Sequence, residues 1–136
     1  MIDYSSLEKV LATLQEATAA HARSPNDLFI RDACIQRFEY SYELSHKMLR
    51  RYLAATEPNA AEIDALSFPD MIRLASARGL TAEEWAAWRL YREARNKTSH
   101  AYDGTKAEEV MRIIPAFLAS ALHLVEELKR RRPNAS

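Results

Sequence analysis

Glycine is scarce, with two in 136 residues. Nucleotide-binding loops of the P-loop and dinucleotide types need closely spaced glycines between a strand and a helix, so both are excluded. Cysteine is scarcer. The single Cys34 has no partner for an internal disulfide and lies in helical sequence, where it reads as a small core residue rather than a nucleophile. A reduced, cytoplasmic setting fits. There is no apolar run near 18 residues and no signal-peptide pattern over Met1 to Leu14, so a soluble protein without a membrane segment is expected. Net charge of either sign is absent too, because 19 Lys and Arg offset 19 Asp and Glu. Binding of nucleic acid by bulk electrostatics is excluded by that balance, and any RNA contact must be local. The four histidines, His21, His46, His100 and His123, show no metal-ligand spacing among themselves or with Cys34. No metal site and no cofactor is expected.

Sustained β-alternation is missing as well, and what remains is helical periodicity. The chain reads as one all-α domain, residues 1–136, folded as an up-and-down four- or five-helix bundle. Helix one is expected from Ser5, with Glu8 as capping-box partner, to about His21. Helix two runs from about Pro25 to Ala54, with Ser24 as its N-cap and Asp27 as a first-turn acid, roughly 45 Å at the standard rise. Thr56 to Leu66 reads as a connector with room for one short turn. Helix three, Phe68 to Arg78, has Ser67 as cap, Pro69 in its first turn and Gly79 just past its end. Helix four follows Thr81, with Glu84 as its capping-box acid, and reaches about Asn96. Helix five opens at Thr105 with Glu108 and runs to about Arg131, kinked near Met111 by Pro115. The basic run Lys129 to Arg132 reads as a solubilising or fraying tail. Helices two and four are apolar over wide arcs, more than a monomer buries, so a two-fold homodimer is expected.

One stretch departs from generic helical sequence. Trp85, Trp88 and Tyr91 alternate with Arg89, Arg92 and Arg95, and the chain then enters Asn96-Lys97-Thr98-Ser99-His100-Ala101-Tyr102. Asn, Thr and Ser compete for backbone hydrogen bonds, which makes this a natural helix end. On an unbroken helix Arg95 and His100 point about 140° apart, so joint action within one chain requires a turn between them. An imidazole exchanges protons near neutral pH and an arginine holds a phosphate. Together they suit attack of an RNA 2′-hydroxyl on the adjacent phosphate, a reaction that needs no metal. One chain offers a single well-placed histidine, and a two-fold dimer supplies the second. On helix two, Glu39 and Glu43 either belong to a solvated stripe or turn inward and orient a cation of this site. From the residues alone, a purely structural role for Arg95 and His100, capping and pairing, also stays open.

Arg95 to Tyr102, RNKTSHAY, resembles the arginine, four residues, histidine, any residue, tyrosine motif of the HEPN superfamily. Ile35 to Leu53 and Ser99 to Val110 are similar to its branch of nucleotidyltransferase substrate-binding proteins, in which tryptophan commonly stands where this chain has His46. The resemblance implies a dimerising helical bundle encoded beside a small nucleotidyltransferase, MNT, often as a toxin–antitoxin pair. It further implies a metal-independent endoribonuclease toxin in which Arg95 stabilises the scissile phosphate and His100 is general acid or base. Tyr102 is then the acceptor of AMP from the MNT antitoxin, and Asn96 helps hold the turn. The alternative within the same branch is a non-catalytic subunit that presents a substrate to the transferase.

Overall fold

A computed structural model describes residues 2–131. Among them every regular element is helical: α1 (Ser5–Arg23), α2 (Leu28–Thr56), α3 (Ala60–Ala65), α4 (Phe68–Ala77), α5 (Trp85–Lys97) and α6 (Gly104–Arg130), with a short 3-10 turn at Thr98–His100 between the last two. The helical bundle expected from the sequence is the observed fold.

The long helices form because apolar residues recur every three or four positions. Leu7, Leu11, Leu14 and Ala17 give α1 one buried face. Phe38, Tyr42, Leu49 and Leu53 do the same for α2, and Ala107, Val110, Ile114, Phe117, Ala121 and Leu124 for α6. Phe117 sits at the centre of the core. Its ring meets Phe38 edge-on at 5.0 Å, Tyr91 at 5.6 Å and Trp88 at 6.3 Å, so α2, α5 and α6 converge on one aromatic cluster. Edge-to-face pairs at this spacing add to the burial term.

Local capping departs from expectation in four places. Asp27, not Ser24, caps α2: its Oδ1 accepts from the Phe29 and Ile30 amides at 2.9 and 3.2 Å. Ser24 is occupied in closing α1, its amide donating to the Ala20 and His21 carbonyls. At the start of α1, Ser5 does not cap either. Its amide donates to Asp3 Oδ1, and Glu8 instead accepts from Lys129 Nζ of α6 at 3.1 Å. Thr81 bonds Ser76 Oγ at 2.8 Å, and α5 starts only after Glu84. Asp103, ahead of the expected Thr105–Glu108 box, caps α6 through the Thr105 amide at 2.9 Å.

The connector after α2 holds a helix of its own. Asn59 caps α3 by accepting from the Ala61 amide at 3.1 Å. At its other end the Arg50 guanidinium of α2 donates to the Ile63 and Leu66 carbonyls at 2.7 and 3.2 Å, which satisfies backbone acceptors that a helix end leaves open. Ser67 caps α4 as expected, and α4 closes on Gly79, whose φ of +73° is the left-handed conformation glycine adopts without strain. Helix α6 continues through Pro115 without a break. Its basic end is docked rather than frayed. Arg131 donates to the Arg78 and Gly79 carbonyls and to Glu127, which ties α6 to the end of α4. Arg132 lies outside the described residues.

Candidate functional site

The α5–α6 junction is built by Thr98. Its buried hydroxyl donates back to the Arg95 carbonyl at 2.7 Å and accepts from Arg95 Nη1 at 3.4 Å. A hydroxyl bonded to the preceding turn replaces a backbone partner and lets the helix tighten into the 3-10 turn Thr98–His100. The Ala101 amide then closes on the Thr98 carbonyl, and the Asp103 amide on that of His100. The junction therefore tightens instead of reversing. Each residue of a 3-10 turn advances by about 120° rather than 100°, so it does not swing His100 round to the Arg95 face of the same chain. No hydrogen bond joins these two side chains among the described residues.

Arg95 is held by α2. Its Nε donates to Glu43 Oε1 at 2.8 Å, and Nη2 lies 2.6 Å from the same oxygen. Its side chain is 28% exposed and that of Glu43 56%, so one edge of the guanidinium is engaged at the surface while the group stays open to solvent. Of the two candidate carboxylates, Glu43 is the one that meets the cation. The side chains of Glu39, half-buried, and Asn96, exposed, make no hydrogen bond or ion pair among the described residues.

His100 and Tyr102 form the second half of the site. Both are exposed, and their rings lie 6.3 Å apart, edge to face. Tyr102 is 87% exposed, one of few large hydrophobic side chains the molecule leaves in water. The sequence thus brings together two pairs, Arg95 with Glu43 and His100 with Tyr102, on consecutive turns of chain.

Behind Arg95 lies a charged shell that sequence reasoning missed. Burial pushes the Tyr42 phenol far above its ordinary pKa; Glu43 adds to the shift, while Arg92 and Arg95 oppose it. His46 is half-buried against Phe68, ring centres 4.3 Å apart, with Arg50 Nη2 3.4 Å from its Nε2. Burial holds the His46 pKa below its ordinary value, with Arg50 and Arg92 adding and Glu43 opposing. A groove of about 720 Å³ opens along this part of α2, reaching Asp64 near the end of α3, lined by Tyr40, Glu43, His46, Lys47, Arg50 and Arg51 among others. The clue was available for Thr98, three residues after Arg95 and so within reach of its carbonyl. It was not available for the groove, which depends on where α3 lies. Among the described residues no three His, Cys, Asp or Glu side chains converge in a metal-binding group, and no helix is long and apolar enough to cross a membrane.

Three comparisons with known proteins converge. Residues 2–130 match the family model described as nucleotidyltransferase substrate binding protein like. A relative from Haemophilus influenzae, named "Probable ribonuclease HepT", is 42% identical over 97 residues. The match covers 71% of this chain and 66% of the relative, just under two thirds of that protein's length. A solved structure from Haemophilus influenzae, described as revealing the fold of a substrate-binding domain of a nucleotidyltransferase, superposes with a TM-score of 0.87 at 32% identity. That superposition covers 93% of this chain and 99% of the solved one. The chain belongs to the nucleotidyltransferase substrate-binding-like proteins, the HEPN/MNT branch of helical bundles.

Proposed function

We propose that this protein is a HEPN-type toxin, a metal-independent endoribonuclease that acts in the cytoplasm as a two-fold homodimer and is neutralised by an MNT nucleotidyltransferase. The observation that carries the reading is the placement of Arg95 and His100. His100 is exposed and Arg95 partly exposed at the α5–α6 junction, and neither is used up in the core. Within one chain they do not bond, but two copies meeting at this junction supply two guanidinium and two imidazole groups to one cleft.

The chemistry then closes without an added group. One imidazole takes the proton of the RNA 2′-hydroxyl as its oxygen bonds the neighbouring phosphorus. The second protonates the leaving 5′-oxygen as its bond to phosphorus breaks, leaving a 2′,3′-cyclic phosphate and a 5′-hydroxyl. Arg95 stabilises the charge gathering on the phosphate oxygens. Neutralisation transfers AMP from ATP to the Tyr102 oxygen and releases pyrophosphate. With its ring 6.3 Å from His100 and 87% exposed, Tyr102 is open to a transferase, and an anionic adduct there repels RNA phosphate from the cleft. The name carried by the Haemophilus influenzae relative agrees with the ribonuclease activity.

The test is cleavage of RNA by the purified protein in the presence of a chelator. Arg95→Ala and His100→Ala are each expected to lower the rate by about 10² or more. Cleavage that persists in both folded variants ends the reading. The second reading, a non-catalytic subunit presenting a substrate to the transferase, is favoured by the description of the solved relative as a substrate-binding domain. It requires a stable complex with the transferase and no RNA turnover.

A further inference from the structure

The groove along α2 is not accounted for by the cleavage residues. Its lining is rich in cations: Lys47, Arg50 and Arg51 face Glu43 and Asp64, and Glu43 is already paired with Arg95. Arg92 on α5 adds its field, acting on both Tyr42 and His46 beside the groove. In a chain whose charges sum to zero, the lining itself holds three cations against two carboxylates, an excess of one positive charge. Tyr40 stands at its margin, 44% exposed, as a flat surface beside the cations. At about 720 Å³ the groove lies within the range of sites for small organic ligands. Glu43 lines it and also holds Arg95, so its end abuts the catalytic guanidinium.

We infer that this groove is a subsite for single-stranded RNA flanking the scissile phosphate, with Lys47 and Arg51 on backbone phosphates and Tyr40 stacking a base. The inference rests on the ribonuclease reading for what lies at the Arg95 end. Cationic grooves with an aromatic platform bind single strands through phosphate contacts and base stacking, without needing sequence. Lys47 and Arg51 are exposed, and among the described residues neither side chain makes a hydrogen bond or ion pair, so neither must break an internal bond to meet a phosphate. Arg50 differs: it is held by the α3 carbonyls and by His46, and it shapes the wall. Leu44 and Ala54 add apolar surface between the charges, so a protein segment is the competing occupant, and the salt dependence of binding separates the two.

The experiment measures binding of a labelled single-stranded RNA oligonucleotide to the His100→Ala protein, in which cleavage is suppressed, across a range of salt. Lys47→Glu with Arg51→Glu is expected to weaken binding roughly tenfold or more and to flatten the salt dependence by about 0.7 for each phosphate no longer neutralised. Tyr40→Ala is expected to cost about tenfold, the loss of one stacked base. A parallel arm uses AMP as competitor. Displacement of the RNA by AMP at its own low concentration identifies a mononucleotide pocket and overturns the strand assignment. Unchanged RNA binding in the variants overturns it also, as does a charge reversal that splits the dimer, which makes the groove a subunit interface. RNA held in the groove by a wild-type protein that never cleaves keeps the subsite and removes the ribonuclease reading. Cleavage that ignores all three substitutions does the opposite.

Discussion

Arg95 on α5 places both Nε and Nη2 on a single oxygen of Glu43 on α2, at 2.8 and 2.6 Å. The pair crosses between two helices and leaves Nη1 to Thr98. With all three nitrogens partnered and the side chain still 28% exposed, the guanidinium is fixed in orientation at the surface.

On the proposed ribonuclease reading Glu43 is a positioning residue, with little weight in folding. An exposed ion pair contributes about 0–1 kcal/mol to stability, so Glu43→Ala should melt within a few degrees of the parent. Its cleavage rate should fall roughly tenfold, mainly in kcat, because Arg95 loses its orientation. Glu43→Gln, which keeps an acceptor for the Arg95 N–H groups, should recover part of the loss. An increase in cleavage for Glu43→Ala would show instead that the carboxylate masks the arginine.

Tyr102 carries the regulatory prediction. Incubation with the cognate transferase and ATP should add AMP to the wild-type protein and none to Tyr102→Phe, read by mass spectrometry of the intact chain. The phenylalanine variant should keep its ribonuclease activity and resist neutralisation. Equal modification of both proteins assigns the acceptor elsewhere.

How much of this was legible in the sequence depended on how local the physics is. Ser67, Pro69 and Gly79 defined α4 correctly because each acts on the backbone beside it. Ser24 failed as a cap because it closes α1 and α2 starts only at Leu28, which puts the open donors of α2 beside Asp27. Thr81 failed because a tertiary partner, Ser76, claimed its hydroxyl. Only one short turn was expected where α3 lies, because its six residues carry no periodic pattern and an arginine from α2 holds its end. The motif Arg95, His100, Tyr102 was readable as a candidate site. Its carboxylate was not, since Glu43 lies 52 positions earlier and nothing in the sequence chose it over Glu39.

His46 gives the fold a pH dependence. Burial lowers its pKa below the unfolded value of about 6.5. The unfolded chain therefore binds this proton more readily, and the contribution of His46 to stability is complete above about pH 6.5. It is lost as the pH falls through the lower folded-state value. Thermal melts from about pH 7.5 down to about pH 5 should show a decline that His46→Phe reduces, since phenylalanine keeps the packing against Phe68 and has no proton to gain. An identical slope in both proteins removes His46 from this role.

Phe117 is the packing prediction. Fully buried against Phe38, Trp88 and Tyr91, it should cost about 3–5 kcal/mol when truncated to alanine, read from denaturant unfolding. The loss should exceed that of any single site substitution, because the site residues lie at the surface. A cost below about 1 kcal/mol would mean that the three helices do not share this centre.

The shared cleft is tested most directly by cross-linking across it. Cys34 is the only cysteine and is fully buried, so His100→Cys introduces one reactive thiol at the surface. A short bifunctional thiol reagent should convert the dimeric His100→Cys protein rapidly to a covalent pair, while Ala60→Cys, on α3, should remain as single chains. A stable dimer in which His100→Cys reacts singly and never links would contradict the account.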